Sequence, residues 1–254
     1  RADLLIASHG RSGSTLLAAL LTSPPNRIVL IEPGIPRVTL RAHVRHQLEA
    51  AGLVTEGDAA RPLDALPDGA DPAQIYESVI TPSVTRCDRW GVKEVNGDWI
   101  LASADMLNPR HILILVRDFE ESAASLYRKN KHEGEPKSRD WLIDRFRSSL
   151  EALATLLNSP EAPTRRVWYH KLVTSQQKRD DLAAWLRWPL DGKPTQHFDL
   201  YNRTHETEAH AGRVSPASIG RYTPGTDADL DAFVADMMHA TADLRAITHA
   251  DRPD

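Results

Sequence analysis

The 254-residue chain carries 31 Lys and Arg against 35 Asp and Glu, a formal net charge of −4. This balance excludes a global basic field for nucleic acid, so any anion site must be local. The length suits one sizeable domain, the single cysteine (Cys87) excludes an intrachain disulfide framework, and no run of eighteen apolar residues offers a membrane span.

Strand-length apolar runs are predicted at Leu4–Ser8, Arg27–Ile31, Trp90–Val95, His111–Val116 and Arg165–Tyr169. Amphipathic helical stretches separate them at Ser14–Thr22, Pro36–Ala51, Pro72–Thr81, Asp118–Lys131, Ser138–Leu157 and Gln176–Trp188. Strands apolar on both faces, alternating with helices, predict one α/β domain over 1–254, with a central, mostly parallel sheet covered on both faces. Ligands of such sheets gather beyond the carboxyl ends of the strands, so chemistry is expected at the strand-to-helix junctions. Two Gly/Pro-rich stretches, 52–71 and 209–226, are expected to be lid or substrate loops. The chain opens on Arg1-Ala2-Asp3 with no signal-peptide pattern, and the absent initiator methionine is expected to reflect a trimmed upstream segment. With one cysteine suited to a reducing compartment, a cytoplasmic location is expected.

The first junction reads LLIASHGRSGSTLLAALL over residues 4–21. Two glycines and three hydroxyls free the backbone to aim several N–H groups at one spot, and the following helix adds its positive end. This is the construction of a phosphate cradle. It is not a Walker A loop: Ser14 stands where that motif's lysine belongs, its first glycine is missing, and the positive charge has moved to Arg11. Nor can G-x-G-x-x-G be placed on Gly10 and Gly13. A plain Gly/Ser-rich turn is the alternative.

R-S-G-S-T-L-L at residues 11–17 resembles the 5′-phosphosulfate loop of sulfotransferases that use 3′-phosphoadenosine 5′-phosphosulfate (PAPS) and release PAP. The arginine is the residue of the tyrosylprotein and carbohydrate branches. The resemblance implies a P-loop-like fold in which Arg11, Ser12, Gly13, Ser14, Thr15 and Leu16 hold the phosphosulfate.

It extends in order along the chain to about residue 190. In IEPG, Glu32 lies twenty-one residues beyond Arg11, where the tyrosylprotein enzymes carry a catalytic glutamate; a helix-entry acid is the alternative. In RWGVKEV, Lys93 takes the place of a lysine that neutralises the transferring sulfuryl group, against a merely solvated lysine. ILVRDFEESAASLYR resembles the 3′-phosphate motif, with Arg117 and Ser125 eight residues apart; an N-cap with a surface pair is the alternative. In VWYHKLV, Tyr169 takes the place of a tyrosine lying against adenine, or is a core aromatic. His170 and Lys171 replace the family's usual acidic pair. In SIGRY, Ser218 and Arg221 are similar to a late cofactor-closing segment.

The function so implied is metal-independent, in-line transfer of a sulfuryl group from PAPS to a hydroxyl or amine. Arg11, Lys93 and the loop N–H groups stabilise developing charge, and Glu32 acts as base. His9 is the alternative base, or a strand-end residue packed under the helix. No metal is expected, because the eleven His are scattered and Cys87 has no Cys partner. The acceptor is expected to be a small molecule, sugar or peptide, and oligomeric state is not legible. Two alternatives stay open: a non-catalytic PAP-binding protein of the same fold, and a P-loop small-molecule kinase. The basic run Arg128, Lys129, Lys131, Lys137 and Arg139 either assists the 3′-phosphate, attracts an acidic acceptor, or is a solvated helix end.

Overall fold

Five short strands form where the apolar runs predict them: β1 (Leu4–Ser8), β2 (Arg27–Ile31), β3 (Arg89–Glu94), β4 (His111–Val116) and β5 (Thr164–Trp168). The computed structural model describes residues 1–34, 42–54, 76–132, 134–158, 162–192, 222–244 and 247. Strands β3 and β5 each sit one residue earlier than expected, so Tyr169 opens a helix instead of ending a strand.

The helices are α1 (Ser14–Leu21), α2 (Ala42–Ala50), α3 (Thr81–Val84, entered through a π-helical turn at Tyr76–Ile80), α4 (Gly97–Leu107) and α5 (Phe119–Lys131). They continue with α6 (Arg139–Leu157), α7 (Tyr169–Thr174), α8 (Gln176–Leu186) and α9 (Ala228–Ala240). Helices α4, α7 and α9 add to the predicted set. Two of them begin at side-chain caps: Asn96 accepts from the Asp98 amide at 3.2 Å, and Asp227 accepts from the Asp229 and Leu230 amides at 3.1 Å. Of the expected loops, 55–71 and 209–221 lie outside the described residues.

The sheet is wholly parallel, in the order β2-β3-β1-β4-β5. From β1 the chain steps over β3 to β2, whereas β3 to β4 and β4 to β5 step the other way. Right-handed crossovers therefore put α1 on one face and α4, α5 and α6 on the other. The buried side chains agree. Leu16, Leu17 and Leu21 of α1 pack with Leu4, Ile6 and Ile31. Phe119, Ala123, Phe146 and Leu150 of α5 and α6 pack with Leu5, Ala7 and Ile114. Because the connections leaving β1 and β4 diverge to opposite faces, a crevice opens beyond their carboxyl ends, the usual ligand position in such sheets.

Candidate functional site

The loop from β1 to α1 is turned by two residues with left-handed backbone, Arg11 (φ 68°) and Gly13 (φ 87°). At Gly13 the requirement is double, since a Cβ there would lie 2.2 Å from the ring of Tyr169. The Leu16 amide already donates to the Gly13 carbonyl at 3.0 Å, and the Leu16 side chain is buried in the α1 core. The amides of Ser14 and Thr15 stand in the first turn of α1, where no helical acceptor exists. Ser12 is fully buried, and its hydroxyl has no hydrogen-bond partner among the described residues. A buried hydroxyl, first-turn amides and a glycine cradle suit an anion.

His9 is fully buried, edge-on to Phe119 and beside Phe146. Its Nδ1 donates to the Gly10 carbonyl at 3.1 Å and its Nε2 accepts from the Arg117 amide at 3.4 Å, which assigns the neutral Nδ1–H tautomer. Burial pulls its pKa down to about 4. Both ring nitrogens are thus spent on joining the ends of β1 and β4, and the alternative reading of His9 as base is corrected to a structural joint.

Across the crevice, Arg11 and Ser125 meet directly, Arg11 Nε donating to Ser125 Oγ at 3.1 Å. Arg117 returns the contact, its Nη1 donating to the Arg11 carbonyl at 3.3 Å. Nε and Nη2 of Arg117 both reach Glu121 Oε2 at 3.0 Å, one helical turn along α5. The Arg117 guanidinium lies 5.2 Å from the ring centre of Tyr169, which is itself buried against Gly13. Asp118 does cap α5, accepting from the Glu121 amide at 3.1 Å, so the N-cap reading holds beside the arginine's placement at the crevice.

Glu32 and Lys93 lie on the other side of β1, at the ends of β2 and β3. Lys93 pairs in register with Ile31 and Ile6, so its side chain shares their face, the one α1 covers. It is almost wholly buried, and its Nζ donates to Glu32 Oε1. The Glu32 amide donates to the Lys93 carbonyl at 2.7 Å. Glu32 itself has φ 48°, an uncommon conformation for a side-chain-bearing residue.

Three residues that the sequence reading missed hold this turn. The Gly34 amide donates to the buried carboxylate of Glu94 at 3.0 Å. On the open edge of β2, the Ile31 amide donates to Gln47 Oε1 at 2.9 Å, and His43 Nε2 donates to the Ile31 carbonyl at 2.6 Å. Both side chains project from α2, one turn apart, and both are buried. The available signal was a polar pair at i, i+4 spacing on a helix following an edge strand.

Ser218 and Arg221 lie outside the described residues. The next residue, Tyr222, is tied to α9 by its hydroxyl donating to Asp231 at 2.9 Å, and it lies within electrostatic reach of Glu120 at the start of α5. His170 and Lys171 occupy the first turn of α7. The basic run sits at the last turn of α5 and beyond, more than two turns from Arg117, and Arg139 is paired with Asp236 at 2.6 Å. Among the described residues no group of three or more His, Cys, Asp or Glu could hold a metal ion, and no helix is long and apolar enough to cross a membrane.

No family model and no curated protein matches the sequence. The solved structures do. The sulfotransferase domain of the olefin synthase of Synechococcus PCC 7002 is 16% identical, with TM-score 0.60 over 95% of this chain and 94% of that one. The sulfotransferase domain from the curacin biosynthetic pathway is 15% identical, with TM-score 0.57 over 95% and 97%. Sulfotransferase STF9 from Mycobacterium avium is 15% identical, with TM-score 0.51 over 96% and 76%. The chain shares the α/β fold of these sulfotransferases.

Proposed function

We propose that the chain is a PAPS-dependent sulfotransferase that delivers a sulfuryl group to a hydroxyl or amine acceptor. The observation that carries this reading is the joining of a lysine-free glycine loop to Arg117 and Ser125 across the β1/β4 crevice. A loop without the Walker lysine does not suit Mg-bound nucleoside triphosphate. An arginine fork and a serine placed beside the same loop suit a second phosphate on one nucleotide.

In this reading the amides and hydroxyls of Ser12, Ser14 and Thr15, with Arg11, hold the 5′-phosphosulfate, and Arg117 with Ser125 holds the 3′-phosphate. Tyr169 supports both by packing under Gly13 and Arg117. Bound there, PAPS supplies an activated sulfuryl group on a nucleotide leaving group. The protein's own contribution is electrostatic and acid–base. Arg11, Lys93 and the first-turn amides of α1 stabilise negative charge on the sulfuryl and bridging oxygens, and such preorganised donors are usually the largest catalytic term. Glu32 takes the acceptor's proton, with Lys93 fixing its carboxylate by a charge-assisted hydrogen bond. Ser218 and Arg221 complete the donor site from the late segment.

The donor half of the reading is tested by thermal unfolding in EDTA with PAP or ADP. PAP at a hundredfold excess over Kd stabilises by about 2.7 kcal/mol, ADP by much less, and Arg117→Ala closes most of that gap. Equal shifts from the two nucleotides would remove the 3′-phosphate site.

A further inference from the structure

Resting on that reading of the donor site, we infer that Glu121 is a counter-charge built into the 3′-phosphate subsite, where it limits how tightly a 3′-phosphorylated nucleotide is held. Arg117, Glu121 and Ser125 follow one another at four-residue spacing. Glu121 therefore stands one turn before Ser125 on the same stripe of α5. Its carboxylate reaches back to Arg117, Oε2 lying 3.0 Å from both Nε and Nη2. The two residues assigned to the 3′-phosphate thus flank an acid.

The pairing has two opposed effects. While the subsite is empty, Glu121 holds the Arg117 guanidinium in place, together with the Arg11 carbonyl and the Tyr169 ring, and so prepares it for a phosphate. Once a phosphate dianion sits against Arg117 and Ser125, the same carboxylate stands beside it as a like charge. Arg117 and Glu121 are only 11% and 15% exposed, so solvent screens that repulsion weakly. At ~6 Å, even at the dielectric constant of water, a unit charge beside a dianion costs about tenfold in affinity. The two effects are separable, because holding Arg117 needs only an acceptor oxygen at position 121, whereas the repulsion needs its charge. PAPS and PAP both carry the 3′-phosphate, so Glu121 loosens donor and spent nucleotide alike. A nucleotide that must leave after every transfer then leaves sooner.

The test is equilibrium titration with PAP and 5′-AMP at about pH 8, where a phosphate monoester is a dianion. The ratio Kd(5′-AMP)/Kd(PAP) isolates the 3′-phosphate, and it is read for the unaltered protein, Glu121→Gln and Arg117→Ala. Glutamine keeps an oxygen that accepts from Arg117 and removes the charge. The expected result is a ratio about tenfold larger in Glu121→Gln than in the unaltered protein, with the difference narrowing as salt is added and PAP dissociating more slowly. A ratio unchanged or lowered in Glu121→Gln, with Arg117→Ala still reducing it, overturns the counter-charge and leaves the donor site intact; Glu121 then only positions Arg117. A larger ratio that salt does not touch reports a new contact from the glutamine amide, and overturns it too. A ratio that Arg117→Ala leaves unchanged removes the 3′-phosphate site itself, and the counter-charge with it.

Discussion

Lys93 and Glu32 are joined twice, backbone to backbone and side chain to side chain, at the ends of adjacent strands. The lysine is almost wholly buried and the glutamate largely so. Breaking such a pair by removing one partner costs more than replacing both, because one charge is left behind in a site that excludes water. Lys93→Met is expected to lower stability by about 3–5 kcal/mol in urea unfolding, and adding Glu32→Gln is expected to restore most of it. A double variant as unstable as the single one would show that the two side chains are not energetically coupled.

His9 makes stability depend on pH. Its pKa is about 4 in the folded protein and 6.5 in the unfolded chain, so the unfolded state binds the extra proton between these values. The stabilising contribution is complete above pH 6.5 and is lost as pH falls toward 4, about 3 kcal/mol in all. His9→Asn, which keeps a donor and an acceptor but cannot titrate, is expected to flatten the fall in Tm between pH 6.5 and 4 relative to the unaltered protein. A fall of equal steepness in both would assign the acid sensitivity to other groups.

The sheet and its first junction were legible because their signals are local. Strand β1 is apolar at every position but Ser8, and Gly13 announces a left-handed turn directly before a helix. Helix α4 was missed although Asn96 and Asp98 mark its start, because its buried positions, Ile100, Ser103 and Leu107, form a stripe with one polar member. Aromatic residues extend the β5 pattern as far as Tyr169, whereas the chain turns there into α7 to lay that ring on Gly13. The resemblance brought Arg117 and Ser125 to one subsite. It could not supply the partners that orient them, since Arg11 and Ser125 are 114 residues apart and Glu121 is one of several acids on α5. The hold of His43 and Gln47 on Ile31 was equally hidden, because it depends on β2 being the edge strand.

That hold carries a prediction of its own. Ile31 immediately precedes Glu32, whose left-handed backbone needs fixing from both sides. Gln47→Leu leaves the buried Ile31 amide without its acceptor and is expected to cost about 1–3 kcal/mol of stability. It is also expected to lower kcat about tenfold with PAP affinity unchanged, and to lower it no further in a Glu32→Gln background. Independent, multiplicative losses would make Gln47 an edge-strand cap with no bearing on Glu32.

The central claim is tested most directly by transfer of labelled sulfate from PAPS in EDTA, across phenols, sugars and peptides, comparing the unaltered protein with Glu32→Gln. Glutamine keeps the shape and the hydrogen-bonding oxygen of Glu32 but cannot accept the acceptor's proton. The expected result is acceptor-dependent transfer by the unaltered protein and a kcat lower by roughly 10²–10⁴ in the variant, with PAP affinity hardly changed. Near-normal turnover in Glu32→Gln would contradict the assignment of the base. Tight PAP binding with no transfer to any acceptor by the unaltered protein would contradict the claim that the chain is an enzyme.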